Sequence, residues 1–363
     1  AIKKCYNAGI KTIMITGDHK DTARAVGKKL GLLKKDDIII TGEELNKINN
    51  DELLDKVEKC KIFSRTSPEQ KLRIVKALKK NNHTIVMTGD GVNDAPAIKS
   101  AEIGIAMGEN GTEVTRESSD IILSKDNFTT IVNAIEEGRS ISGNVKKFLR
   151  YVLTGNIAEV FAIFTASIIG MPTPLIPAQI LMVNLVTEGI PALSLGVEPS
   201  SPDNMKGKPR NANKSIFSKK LRKKILNRGI IMGISSFSLF SGTYLLTSNL
   251  NKARTMAYSS LVASQMFHVY DCKSSSSDNK YILPSVSISS LLLLGSIYIP
   301  VLQGLFSTVS LNLKEIITVL VTSGIVGRLD ILTNNISIDK EELLSNKENL
   351  STYELKNTEY SII

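Results

Sequence analysis

The feature that most restricts how this chain can fold is the position of its long apolar stretches, which all lie from Phe148 onward. Each runs for about 20 residues, the length an α-helix needs to cross the hydrocarbon core of a bilayer. The mean hydropathy of +0.03 therefore averages two unlike parts, a polar head and a membrane region. Six spans are predicted, at about 148–170, 174–197, 225–247, 253–271, 282–302 and 313–333.

The formal net charge of +10 belongs largely to the flanks of these spans. The connection 198–224 holds Lys206, Lys208, Arg210, Lys214, Lys219, Lys220, Arg222, Lys223 and Lys224, whereas the turn Met171–Pro174 has no charge. Basic residues accumulate on the cytoplasmic side of membrane proteins, so the head, this loop and the C-terminus are expected there. Nucleic acid is not an expected partner, because no basic stripe alternates with aromatic residues and Trp is absent. Cys5, Cys60 and Cys272 lie too far apart for a paired metal or disulfide spacing and fit a reducing compartment. The mixed-charge segment 335–363 reads as a polar cytoplasmic tail, solvated or partly disordered. Ala1 falls inside an amphipathic helical pattern (Ile2, Tyr6, Ile10) without an initiator Met or leader, so a fragment is expected.

Residues 1–138 alternate short apolar runs with helical patterns. Lys11–Ile15 leads into Thr16-Gly17-Asp18, Thr84–Met87 into Thr88-Gly89-Asp90, and Ile103–Met107 and Ile121–Leu123 follow. Continuous apolar strands separated by helices predict a parallel sheet covered on both faces. Such sheets bind ligands beyond the carboxyl ends of their strands, where both Gly-Asp turns fall. Residues 139–147 form a stalk into the membrane.

The string Met87-Thr88-Gly89-Asp90-Gly91-Val92-Asn93-Asp94-Ala95-Pro96 carries the sharpest chemical signal. Glycines on both sides of Asp90 allow a tight turn that aims a carboxylate off the sheet edge, while Asn93 and Asp94 add oxygen donors. One or two carboxylates completed by phosphate oxygens and water are what Mg2+ prefers. Asp90 is the expected direct ligand, with Asp94 beside it.

This string resembles the hinge motif of the P-type ATPases, of the calcium-transporting group, whose phosphorylation domain has the haloacid dehalogenase fold. The fold class so implied is an α/β phosphorylation domain with an incomplete parallel sheet, followed by an all-α membrane domain of six helices. By the same resemblance, Thr16, Gly17 and Asp18 bind the transferred phosphoryl group of ATP. Phe63-Ser64-Arg65-Thr66-Ser67-Pro68-Glu69-Gln70-Lys71 is similar to the segment carrying the catalytic Lys. Lys71 would neutralise the phosphoryl charge and Arg65 would help to hold nucleotide; Asn93 joins the phosphate-binding set. The family's nucleophilic Asp, in Asp-Lys-Thr-Gly-Thr, does not occur in this sequence. The resemblance thus implies an upstream part bearing that motif, the nucleotide and actuator domains and four further helices, without which ATP should not turn over. Thr41-Gly42-Glu43 is read instead as a helix start, with Thr41 as cap and Glu44 closing a capping box.

Polar side chains within apolar spans are costly and mark ion paths. Asn156 and Glu159 share one face of the first span, and Asn184, Thr187 and Glu188 stand at i, i+3 and i+4 on the second. Pro191 and Gly189 favour local unwinding there. Hard oxygen donors with two carboxylates suit Ca2+, with Mn2+ as the alternative and interhelical hydrogen bonding as the structural one. The calcium pumps carry a similar Asn-x-x-Glu and Val-Asn-Leu-Val-Thr-acid-Gly; this chain has Glu188 where they usually have Asp. It places Gln265 where the animal reticulum pump has Glu, which makes Gln265 a further candidate ligand and suggests one calcium per cycle. His268 is read as a packed side chain before a proton carrier. The implied whole is an ATP-driven calcium pump in lipid, as in a bacterial plasma membrane; rivals are a manganese pump, a soluble phosphatase and a non-catalytic fragment.

Overall fold

The computed structural model describes residues 1–33, 37–200, 202–206, 209, 215–274, 278–327 and 359–362. They fall into two compact units, Ala1–Arg139 with Pro202–Lys214 and Ser351–Ile363, and Ser140–Ser201 with Ser215–Leu350.

In the first unit the order is α1 (Ile2–Asn7), β1 (Ile10–Ile15), α2 (Lys20–Lys29), β2 (Ile38–Thr41), α3 (Gly42–Lys47), α4 (Asn50–Lys59), β3 (Cys60–Ser64), α5 (Pro68–Lys80), β4 (Ile85–Gly89), α6 (Ala95–Ser100), β5 (Ile103–Ala106), α7 (Glu113–Glu117) and β6 (Ile121–Ile122). Near-continuous apolar runs such as Ile85-Val86-Met87 form strands because both faces of the sheet are covered, so neither side has to be polar. Among the described residues every pairing is parallel, in the order β2-β3-β1-β7-β4-β5-β6, where β7 is Glu359–Ile362. The core beneath it includes Ile13, Phe63, Ile74, Leu78 and Met87.

The element β7 (Glu359–Ile362) corrects the reading of the tail as a polar extension. It lies at the centre of the sheet, with Lys11 and Ile85 both opposite Tyr360. The slot between β1 and β4 offers two rows of backbone donors and acceptors, which the backbone of this short strand pairs with. Residues 335–358 of the expected tail lie outside the described residues.

Helix starts follow the sequence closely. Glu44 N–H donates to Thr41 Oγ1 at 3.2 Å and Thr41 N–H to Glu44 Oε2 at 2.7 Å, closing the expected capping box. Ser67 and Gln70 form a second box ahead of α5, with Pro68 in its first turn.

The helix α8 (Phe128–Ile169) begins in the first unit and continues without a break through the predicted stalk and first span. The second unit then comprises α9 (Pro177–Leu181), a π-helical turn at Met182–Thr187, α10 (Gly189–Gly196), α11 (Lys219–Thr247), α12 (Leu250–Cys272), α13 (Ile282–Tyr298), α14 (Pro300–Phe306) and helical residues 313–327. All six predicted segments contain helix, but they are not six equal spans. Phe128–Ile169, Pro177–Gly196 and Lys219–Thr247 are each long and apolar enough to cross a membrane. The fifth is broken: Pro300 interrupts the helix, and α13 and α14 meet at 89°. As α12 carries Lys252, Arg254, Asp271 and several Ser, it is less apolar; most of it is buried among its neighbours, so it need not match lipid. Residues 328–333 of the sixth predicted span, and Lys208, Arg210 and Lys214 of the basic loop, lie outside the described residues.

Small residues let helices approach in the second unit. A Cβ at Gly229 would lie 2.5 Å from Ile157 Cγ2, and one at Gly233 would lie 2.8 Å from the Ala158 carbonyl oxygen. These glycines, four apart on α11, bring it against α8.

Candidate functional site

The first site forms at the carboxyl ends of β1, β3 and β4. Phe63 and Thr16 join the β1 and β3 ends, with Thr16 N–H donating to the Phe63 carbonyl at 2.9 Å. Beyond it, Arg65 N–H donates to the Asp18 carbonyl at 3.0 Å and Thr66 N–H to that of Thr16 at 3.2 Å. Arg65 takes a left-handed conformation, φ 51°, to follow this path. Such strain in a residue with a Cβ, about 1–3 kcal/mol, persists where surrounding bonds over-determine the backbone. Thr16 Oγ1 accepts the Asp18 N–H at 3.1 Å, while Gly17, Asp18 and Arg65 are exposed at the rim.

At the end of β4, Lys71 and Asp94 form a nearly buried ion pair, Nζ to Oδ1 2.5 Å. Sequence reasoning assigned these two residues separate tasks, yet they are paired, so Asp94 both meets Lys71 and turns its Oδ2 toward Gly91 N–H at 3.4 Å. Asp90 and Asn93 are exposed on the same turn. The Asp90 carbonyl accepts Thr112 N–H at 2.9 Å and the Gly89 carbonyl accepts Met107 N–H at 3.2 Å, which fixes the backbone under the Asp90 side chain. An exposed carboxylate on a fixed turn, with a second one beside it, fits Mg2+ held by one or two carboxylates and otherwise by water and phosphate oxygens. Away from this site, burial pushes the Cys60 thiol up to about 12 and raises Cys5 as well.

Gly89 makes the Asp94 position possible, because a Cβ there would lie 2.5 Å from Asp94 Cβ. Gly89→Ala must displace Asp94 from Lys71, and is expected to cost about 1–3 kcal/mol of stability, as overpacking does. A lowered thermal midpoint checks this; an unchanged midpoint would show that the turn yields freely.

The second site lies within the helical unit. Glu159 on α8 is 4 % exposed, and Glu188 and Gln265 are fully buried. Asn184 Nδ2 donates to Glu159 Oε2 at 3.1 Å. Among the described residues, Glu159 Oε1, both carboxylate oxygens of Glu188 and both amide atoms of Gln265 have no hydrogen-bond partner. Two of these groups meet at Gly155, one turn before Glu159: a Cβ there would lie 2.6 Å from Glu188 Oε1 and 2.5 Å from Gln265 Nε2. Buried carboxylates without partners are expensive, and either a proton or a bound cation would offset that cost here.

Two details depart from the sequence reading. The expected unwinding is a π-helical turn, closed by Glu188 N–H donating to the Val183 carbonyl at 2.8 Å. The wider turn shifts the phase of Asn184, Thr187 and Glu188, which differ in exposure and in their partners. Asn184 is exposed, and Thr187 Oγ1 donates to the Val183 carbonyl of its own helix at 3.2 Å. Asn156 is partly exposed and lines an apolar groove with Leu153, Ile157, Val160, Phe161 and Phe164, beside the Glu159 face. The buried His268 stacks on Tyr151, with ring centroids 6.0 Å apart, and its Nε2 lies 3.4 Å from Cys272 Sγ, which fits a packed side chain. Gly155 was missed by sequence reasoning. Its position between Thr154 and Asn156, four residues before Glu159, was the available signal.

Comparison with known proteins finds two family models, one within the first unit and one mostly within the second. Residues 1–102 match the family model of haloacid dehalogenase-like hydrolases, and residues 172–333 match that described as cation transporting ATPase, C-terminus. The calcium-transporting ATPase of Bacillus subtilis is 47 % identical over 320 residues, covering 86 % of this chain. Calcium-transporting ATPase 1 of Bacillus cereus is 41 % identical over 339 residues, 87 % of this chain. Human calcium-transporting ATPase type 2C member 2 is 38 % identical over 326 residues, 87 % of this chain. The matches take in 36 %, 38 % and 34 % of those relatives' own lengths.

Proposed function

Because the chain belongs to the P-type cation-transporting ATPases, we propose that it supplies, within a longer pump, most of the phosphate-handling head and most of the membrane path for calcium. The observation that carries this reading is the pair of buried, partnerless groups of Glu188 and Gln265 that meet at Gly155, with the partnerless Glu159 Oε1 one turn further along α8. Two carboxylates and amide oxygens are hard donors of the kind Ca2+ takes, and Asn184 and Thr187 stand close by in the chain. Asn156 completes the candidate set from the neighbouring face of α8.

In the head, ATP phosphorylates an Asp supplied by another part of the pump. Lys71, held by Asp94, offers positive charge to the transferred phosphoryl group; Thr16 and the Gly17 and Asp18 backbone bind its oxygens. Arg65 and Asn93 line the rim where nucleotide approaches. Bound Mg2+, with Asp90 and Asp94 as ligands, supplies charge neutralisation. Stabilising charge on the three equatorial oxygens is the main task in phosphoryl transfer, and these residues are all suited to it.

The head, the basic loop and the C-terminus face the cytoplasm in this reading, with the helices in a bacterial plasma membrane. The test is phosphorylation of the complete pump from ATP. Phosphoenzyme should form only with calcium, and Glu159→Gln should abolish it while Mg2+-dependent phosphorylation from inorganic phosphate persists. Unaltered calcium dependence in that variant defeats the site. Manganese is the second reading, since the same donors accept it; stronger competition by manganese than by calcium would favour it.

A further inference from the structure

We propose that Asp126 is a positioning residue for the magnesium-binding turn, acting on Asp90 through the loop 107–112. This inference rests on the reading of Asp90 as a magnesium ligand.

The loop is held from both sides. On one, Met107 N–H and Thr112 N–H donate to the carbonyls of Gly89 and Asp90 at 3.2 and 2.9 Å, and Thr115 Oγ1 donates to the same Asp90 carbonyl at 3.4 Å. On the other, the Asp126 carboxylate gathers the loop's amides. Gly108 and Glu109 N–H donate to its Oδ1 at 2.7 and 3.1 Å, and Asn110 donates to Oδ2 from its backbone N–H and from Nδ2, both at 2.8 Å. Successive amides pointing into one concavity form an anion nest, and here the anion is the chain's own side chain. Partial burial opposes ionisation of Asp126, but the amides of Asn110, Glu109 and Gly108 outweigh it and hold the carboxyl below its usual range.

The loop has little room to absorb a change. A Cβ at Gly111 would fall 2.0 Å from the Met107 carbonyl oxygen, and one at Gly108 would strike the Leu123 carbonyl. Arg116 adds a bond from its guanidinium to the Gly108 carbonyl at 2.5 Å. Loosening the Asp126 end therefore passes to Thr112 and Met107, and so to the backbone that aims Asp90. None of the bonds from Asp126 touches substrate or ion, which is why its part is positioning.

The experiment uses the complete pump with Asp126→Asn, the milder Asn110→Ala and, as reference, Asp90→Asn. Two quantities are read: the Mg2+ concentration for half-maximal phosphorylation by inorganic phosphate, and amide hydrogen exchange of residues 107–112. Asp126→Asn keeps the shape but removes the charge, and should raise the half-saturating Mg2+ about tenfold, the scale for groups behind a metal ligand. The deficit should vanish at saturating Mg2+, exchange at 108–110 should quicken, and Asn110→Ala should shift both in the same direction by less. Faster exchange with an unmoved Mg2+ requirement would reduce Asp126 to a structural cap and overturn the inference, as would a loss equal at every Mg2+ concentration. If Asp90→Asn itself leaves the Mg2+ requirement unchanged, the underlying magnesium assignment fails instead.

Discussion

Glu188→Gln in the complete pump should raise the calcium needed for half-maximal phosphorylation by about 100-fold or more. Removing one partner of a buried charge pair costs about 3–5 kcal/mol, and about 1.4 kcal/mol is a factor of ten in affinity. Glu188 is fully buried and neither of its oxygens has a partner among the described residues, so calcium would be its main compensation. Glu159 already accepts a bond from Asn184, which leaves only its Oε1 open. Among the described residues, no three acidic, His or Cys side chains stand where they could share one ion. Two carboxylates neutralise one divalent cation, and a second would leave two positive charges in a medium of low dielectric. One calcium per ATP is the expected tracer uptake in proteoliposomes of the complete pump if these two carboxylates supply the charge of its path. A measured ratio of two, or a Glu188→Gln pump with normal calcium affinity, would refute this account of the site.

The second large effect concerns stability. Asp271→Ala should destabilise the helical unit by about 3–5 kcal/mol, the range for breaking a buried ion pair. Arg228, on α11, is 1 % exposed and donates from Nη2 to Asp271 Oδ2 at 2.9 Å and from Nη1 to the Val326 carbonyl. One guanidinium thus links α11, α12 and the helical residues 313–327, and the Asp271 carbonyl also accepts Arg150 Nη1 of α8 at 3.0 Å. The checking measurement is thermal unfolding in detergent of Asp271→Ala, Arg228→Met and the double variant. The double variant should lose less than the sum of the singles, because it leaves no buried charge behind. Strict additivity would mean that the pair is not coupled.

Much of this was legible in the residues. The Gly89–Asp94 turn, the capping box at Thr41 and the intramembrane acids at positions 159 and 188 are local patterns, and local patterns follow from backbone conformational preference and the cost of burying polarity. The strands Ile38–Thr41 and Cys60–Ser64 were not foreseen, since short apolar runs read equally as helix or strand until a sheet edge accepts them. The bent fifth span was missed for a related reason: a bend at Ile299–Pro300 leaves the hydropathy of the segment unchanged.

The sequence by itself determined the two-part character of the chain, its parallel sheet, the residue types at each site and membership of its family. These depend on composition, periodicity and motif spacing, all of which are one-dimensional. Only the tertiary structure decided which groups meet: Lys71 with Asp94, Gln265 and Glu188 at Gly155, Asp126 with the loop beneath Asp90, and Glu359–Ile362 at the centre of the sheet. The physical reason is that each of these contacts joins residues from different elements, at separations set by packing and hydrogen-bond satisfaction across the fold, which no local rule encodes.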